Sequence, residues 1–145
     1  MWDAGRIGVK ISPYWTSGTA FTADEETLTD YDWVIKQLSL AGLAYLHLMG
    51  PASPGERLAP FARYRALYDG TILANVGFTQ KAGNDIIEHG LADAVSFGAP
   101  FIANPDLVAR FAEGHPLAEA DRATFYAGST DGYTDYRTID EAARR

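Results

Sequence analysis

Four segments hold residues whose types and spacing suit ligand chemistry: 10–13, 50–51, 75–78 and 98–99, each just past an apolar run. In parallel α/β folds ligands gather at the carboxyl ends of the strands, so these positions are the informative ones. Gly77 and Gly98 each stand at the approach to a helix start. There, exposed backbone N–H groups and the helix dipole can hold a phosphate. A tight strand-to-helix turn needs the same glycines, and neither segment is a Walker loop or a GxGxxG motif, so spacing alone leaves both readings open.

The remaining reactive side chains make weaker patterns. His47, His89 and His115 are too far apart for an HxxxH-type metal site. His47, inside an apolar run, reads as a satisfied strand histidine, and His89 as a cation favoured at a helix C-terminus. The acids of 24–32 fall on the early turns of an amphipathic helix and read as a solvated face. Tyr14, Trp15, Phe21, Tyr31 and Trp33 suit a ligand lid, core packing or an oligomer interface equally well.

Short apolar runs alternate with longer amphipathic ones, the order of parallel strands joined by helical crossovers. Strands are predicted at 6–12, 44–49, 71–75 and 93–97. Helices are predicted at about 24–40, 58–68 and 79–89, with Thr79 as an N-cap and Gly42 and Gly90 as exits. Asn104 followed by Pro105 reads as N-cap and first helical residue of a helix through about 113, with a further short helical piece around 117–123. Residues 14–23 and 50–55 read as loops, and the chain ends in a polar, aromatic tail. The pattern is (βα)4 plus a tail.

Composition narrows the classes. A 145-residue chain with 47% apolar residues suits one domain, and 12 Lys+Arg against 19 Asp+Glu give a net charge of -7. That sign argues against nucleic-acid and anionic-membrane surfaces, which need a positive field. The absence of Cys excludes a disulfide framework and a thiolate metal site, and leaves the cytoplasm as the default compartment. No signal peptide or membrane span is expected.

Five stretches carry a family resemblance in order: GVKISP (8–13), AYLHLMGP (44–51), ILANVGFT (72–79), SFGAPFIANPDLV (96–108) and TFYAGSTDGYTDY (124–136). Together they resemble the C-terminal half of the Old Yellow Enzyme family, the FMN-dependent ene-reductases and NADH:flavin oxidoreductases. The resemblance implies half of a TIM (β/α)8 barrel, strands five to eight with their helices and the closing tail, over 1–145. A whole barrel of this kind takes roughly 250 residues. It also implies FMN as cofactor, NAD(P)H as reductant, and activated alkenes such as enones as substrates.

By the same resemblance Lys10 stands where the family usually has an Arg beside the flavin N1/C2 carbonyl edge, keeping the charge but losing the planar fork. Val76, Gly77 and Phe78 match the first phosphate-binding turn, commonly Gly-Gly-Tyr, and Gly98 with Ala99 the second, commonly Gly-Arg; Asn75, just before the first turn, is also implied to bind the cofactor. Tyr133 matches an aromatic residue lining the substrate pocket. Ala99 removes a phosphate-binding Arg, Val76 is β-branched where glycine is usual, and Arg137 replaces a common Pro.

The family's catalytic His/His or His/Asn pair and its proton-donating Tyr lie on strand four, so the resemblance implies no catalytic residue in this chain. The first expectation is a half-subunit that needs an N-terminal half-barrel chain for activity. The alternative is a non-enzymatic, flavin-free half-barrel that associates with a second copy of itself, because an open four-stranded sheet leaves edges unpaired. Truncation of a longer reductase gene is a third reading.

Overall fold

The strands form because β-branched and apolar residues alternate between short turns. The computed structural model describes residues 2–15, 23–51 and 58–143. It contains β1 (Gly8–Ile11), β2 (Tyr45–Met49), β3 (Ile72–Asn75) and β4 (Ala94–Val95). They make one parallel sheet in the order β1-β2-β3-β4. In register, Lys10 lies beside His47, Leu48 beside Ala74, and Ala74 beside Val95. Consecutive parallel neighbours require a crossover each, which the helices supply.

The chain comprises two compact units, 1–96 and 97–145. In the first, α1 (Glu25–Leu40), α2 (Leu58–Arg65) and α3 (Gln80–Glu88) join the strands. Asp24 caps α1 by accepting from the Thr27 N–H at 2.9 Å, and Thr79 caps α3 by accepting from Ala82 at 3.2 Å. Gly42 and Gly90 take the left-handed conformation after α1 and α3, as the sequence suggests.

The sheet is buried on one alternation. Leu46, Leu48, Ile72 and Ala74 are fully buried, as are Ile35 of α1, Phe61 and Tyr64 of α2 and Ile86 of α3. Each large apolar side chain so buried contributes about 1.5–3 kcal/mol. Phe61 meets Tyr64 edge-on at 6.1 Å and Phe78 at 6.2 Å between ring centroids. The intervening strand residues, Lys10, Tyr45, His47, Met49, Leu73 and Asn75, are half-buried or exposed. Successive strand residues point to opposite faces, so these six share the other face of the sheet.

Glu25 and Asp32 are not only a solvated face. Both carboxylates hold Arg63 of α2, at 3.0 and 2.8 Å. Tyr14 is half-buried, while Trp15 and Trp33 are exposed; the loop expectations at 16–22, which include Phe21, and at 52–55 lie outside the described residues.

The second unit departs from the sequence reading. It holds α4 (Ala99–Ala103), α5 (Leu107–Glu113) and α6 (Ile139–Ala143). Asn104 is the C-cap of α4 rather than an N-cap; Asp106 precedes α5. Fully buried, Asn104 donates from Nδ2 to the carbonyls of Pro100 and Ala118 and accepts at Oδ1 from the Ala118 N–H. It holds residues 117–120 in an irregular path, in place of the helix expected around 117–123.

Among the described residues, Arg110 is the other buried polar side chain of this unit. It pairs with Asp106 at 2.7 Å and donates to the carbonyls of Pro116 and Arg137. Asp106 also accepts from the Ile139 N–H, so the pair pins both ends of the tail to α5. Among the described residues no helix is long and apolar enough to cross a membrane, and no cluster of His, Asp and Glu is placed to hold a metal.

Candidate functional site

The polar residues of this other sheet face lie on consecutive strands, with Asn75 at the carboxyl end of β3. Lys10 of β1 is exposed, and none of the ion pairs among the described residues includes it. His47 is its lateral neighbour on β2. His47 Nε2 lies 2.8 Å from Ser96 Oγ, and Asn75 Nδ2 donates to the same oxygen at 2.8 Å and to the Ser96 carbonyl at 3.2 Å. Partial burial, with the charge of Lys10 beside it, holds the His47 imidazole below its ordinary value.

Past Asn75 the backbone turns sharply into α3. Val76 has φ +87° and Gly77 φ +63°. Left-handed backbone is routine for glycine and an outlier for a β-branched residue. Phe78, whose backbone closes the turn, is buried with its ring against Phe61. The strained turn is thus anchored from below by the core while Gly77 is exposed.

The second unit carries the other sequence candidates. Gly98 is the exposed N-cap of α4 and Ala99 its first residue. Ala99 and Pro100 line an open cavity of about 560 Å³ together with Leu117, Ala118, Glu119 and Arg122. Tyr133 stands in the tail, 45% exposed, its N–H donating to the Thr130 carbonyl. His89 closes α3 with Nδ1 against the Asp85 carbonyl, and His115 pairs with Glu113.

Thus Lys10 and Asn75 share one sheet face, and Val76, Gly77 and Phe78 form the turn that follows it. Sequence reasoning singled out neither Ser96 nor the joining of His47 to Asn75. The signal was present in alternation: Ala94 and Ser96 take the parity opposite to Val95, which pairs with buried Ala74.

No family model matches the chain. It is 37% identical over 142 residues to a 12-oxophytodienoate reductase-like protein of Solanum lycopersicum, covering 97% of this chain and 38% of the relative. It is 37% identical over 136 residues to a Leishmania infantum protein named "Probable flavin mononucleotide-dependent alkene reductase", covering 90% and 35%. Among solved structures, morphinone reductase in complex with tetrahydroNAD superposes with TM-score 0.80 at 33% identity, covering 95% of this chain and 37% of that one. The old yellow enzyme from Trypanosoma cruzi gives TM-score 0.81 at 33% identity, covering 94% and 36%. The chain therefore spans less than two fifths of the length of these proteins.

Proposed function

The chain is a member of the Old Yellow Enzyme family, and from that premise we propose that it is one half of an FMN-dependent ene-reductase. In this reading 1–145 forms strands five to eight of a (β/α)8 barrel with the closing tail, and gives the phosphate side of the FMN site to a partner chain carrying the other half. The observation that carries it is Val76, a β-branched residue held in left-handed backbone at the strand-to-helix turn. Such strain persists where the surroundings over-determine it and clusters at ligand clamps.

The residues present fit the cofactor. Thr79 caps a nine-residue helix directly after the strained turn, so residues 76–78 lie at a dipole end suited to phosphate. Lys10, exposed and outside every described ion pair, would place positive charge beside the flavin, and Asn75 would orient its edge. Tyr133 would line the substrate pocket. Gly98 and Ala99 are carried by the resemblance alone. FMN, when bound, supplies the electron transfer from NAD(P)H to an activated alkene. This chain's own residues bind and orient it, while catalytic groups come from the partner.

Partnering is supported by the sheet. Among the described residues β1 and β4 each pair on one side only, and the face carrying Lys10 and His47 is not buried. Unpaired edges of this kind invite a neighbour, either an N-terminal half-barrel or a second copy.

The test mixes the chain with a separately expressed N-terminal half of a family reductase, adds FMN, and records the visible spectrum and NAD(P)H oxidation. A yellow, NAD(P)H-oxidising complex is the expected result, with the chain alone inactive. No flavin uptake by the mixture would overturn the proposal.

A further inference from the structure

We propose that Lys10 and His47 form a proton-linked oxyanion site, in which His47 takes up one proton from solvent as the anion settles against Lys10. The inference borrows the ligand's identity from the reading above, and stands otherwise on the hydrogen bonds of the sheet face.

The distances among those bonds point to one placement of the protons. A backbone carbonyl only accepts, so the contact from Asn75 to the Ser96 carbonyl places the amide nitrogen toward Ser96. The same nitrogen donates to Ser96 Oγ. Ser96 has one hydroxyl proton and two acceptors in reach: His47 Nε2 at 2.8 Å and the Ala74 carbonyl at 3.4 Å. The nearer takes it, so neutral His47 accepts at Nε2 and carries its own proton on Nδ1.

Protonation at Nε2 reverses one bond and strands no group. His47 then donates to Ser96 Oγ, and the hydroxyl turns to the Ala74 carbonyl. What opposes the charged form is partial burial and the neighbouring ammonium of Lys10. Asn75 and Ser96 are neutral, and Tyr45 lies two residues earlier on the same face. An anion on Lys10 cancels the opposing charge and favours the imidazolium.

The test follows all three histidines of the full chain by heteronuclear NMR through a pH titration, in sodium sulfate and in sodium chloride of equal ionic strength. Sulfate keeps its charge across the range and needs no flavin, so failure here is distinct from failure of FMN uptake. The expected result is a His47 proton affinity about tenfold higher in sulfate, with His89 and His115 unmoved. Lys10→Met should abolish the response and Lys10→Arg retain it, while Ser96→Ala should move the neutral tautomer away from Nδ1–H. Equal His47 titration in the two salts, a response that survives Lys10→Met, or equal movement of all three histidines would overturn the proposal.

Discussion

Replacing Val76 by glycine and, separately, by alanine tests the reading of the β3–α3 turn. Both variants delete the two γ-methyl groups of valine and differ from each other by a single methyl group, so their difference chiefly reads the backbone. In regular structure glycine is less stable than alanine by about 0.5–1 kcal/mol, because it loses more freedom on folding. At φ +87° the alanine carries a left-handed penalty of about 1–2 kcal/mol that glycine escapes. The midpoints of the two ranges put Val76→Gly above Val76→Ala by about 0.75 kcal/mol. In a chain of this size that separates the two melting temperatures by about 2–3 °C. Calorimetry under identical conditions reads the order directly. Alanine equal to or above glycine would refute the strained turn and remove the observation on which the phosphate assignment rests. A paired titration adds a functional readout: Val76→Gly should take up FMN in the assembled complex at least as tightly as the parent chain.

Phe61→Ala empties a fully buried site beneath Phe78 and should cost about 3–5 kcal/mol, seen as a loss of about 10 °C in thermal unfolding; a change under 1 kcal/mol would show that the turn is not anchored there. Ala99→Arg, in the assembled complex, should tighten FMN binding by about ten- to a hundredfold by adding a charge-assisted phosphate contact. Unchanged affinity would detach Ala99 from the phosphate site. Arg110→Met should leave unit 1–96 folded and free the tail, detected as faster proteolysis and amide exchange between 116 and 139. The hydrogen bond from Arg110, joined by the Ile139 N–H, holds the Asp106 carboxyl below its usual value. A lowered carboxylate stabilises the fold above its unfolded pKa and ceases to do so as pH falls through the folded one. Tail protection should therefore be constant near neutrality and lost only below about pH 4, and loss near pH 6 would point to another group.

Local chemistry made much of the first unit legible in advance. The alternation of Leu46, His47 and Leu48, the capping hydroxyl of Thr79 and the exits at Gly42 and Gly90 each act within a few residues of themselves. The parallel sense of the strands followed from that, because parallel neighbours need helical crossovers. The candidate turn at 75–78 was visible as a glycine between an apolar run and a helix start.

The second unit was not legible in this way. Asn104-Pro105 has the form of a helix start, yet Asn104 closes α4 because Ala118, fourteen residues on, supplies both a donor and an acceptor for its amide. Arg110 has the form of a solvated helix residue, and it is buried because Pro116 and Arg137 bring carbonyls to it. Likewise His47 gained partners only when β4 set Ser96 within 2.8 Å, and the strain at Val76 exists only because the core holds Phe78 while α3 begins two residues later. In the first unit the sequence by itself determined which segments become strands, helices and turns, since those preferences are settled within one or two turns of chain. Tertiary structure decided which polar groups are shared and which backbone is strained, because burial and hydrogen-bond satisfaction depend on residues that only folding brings together.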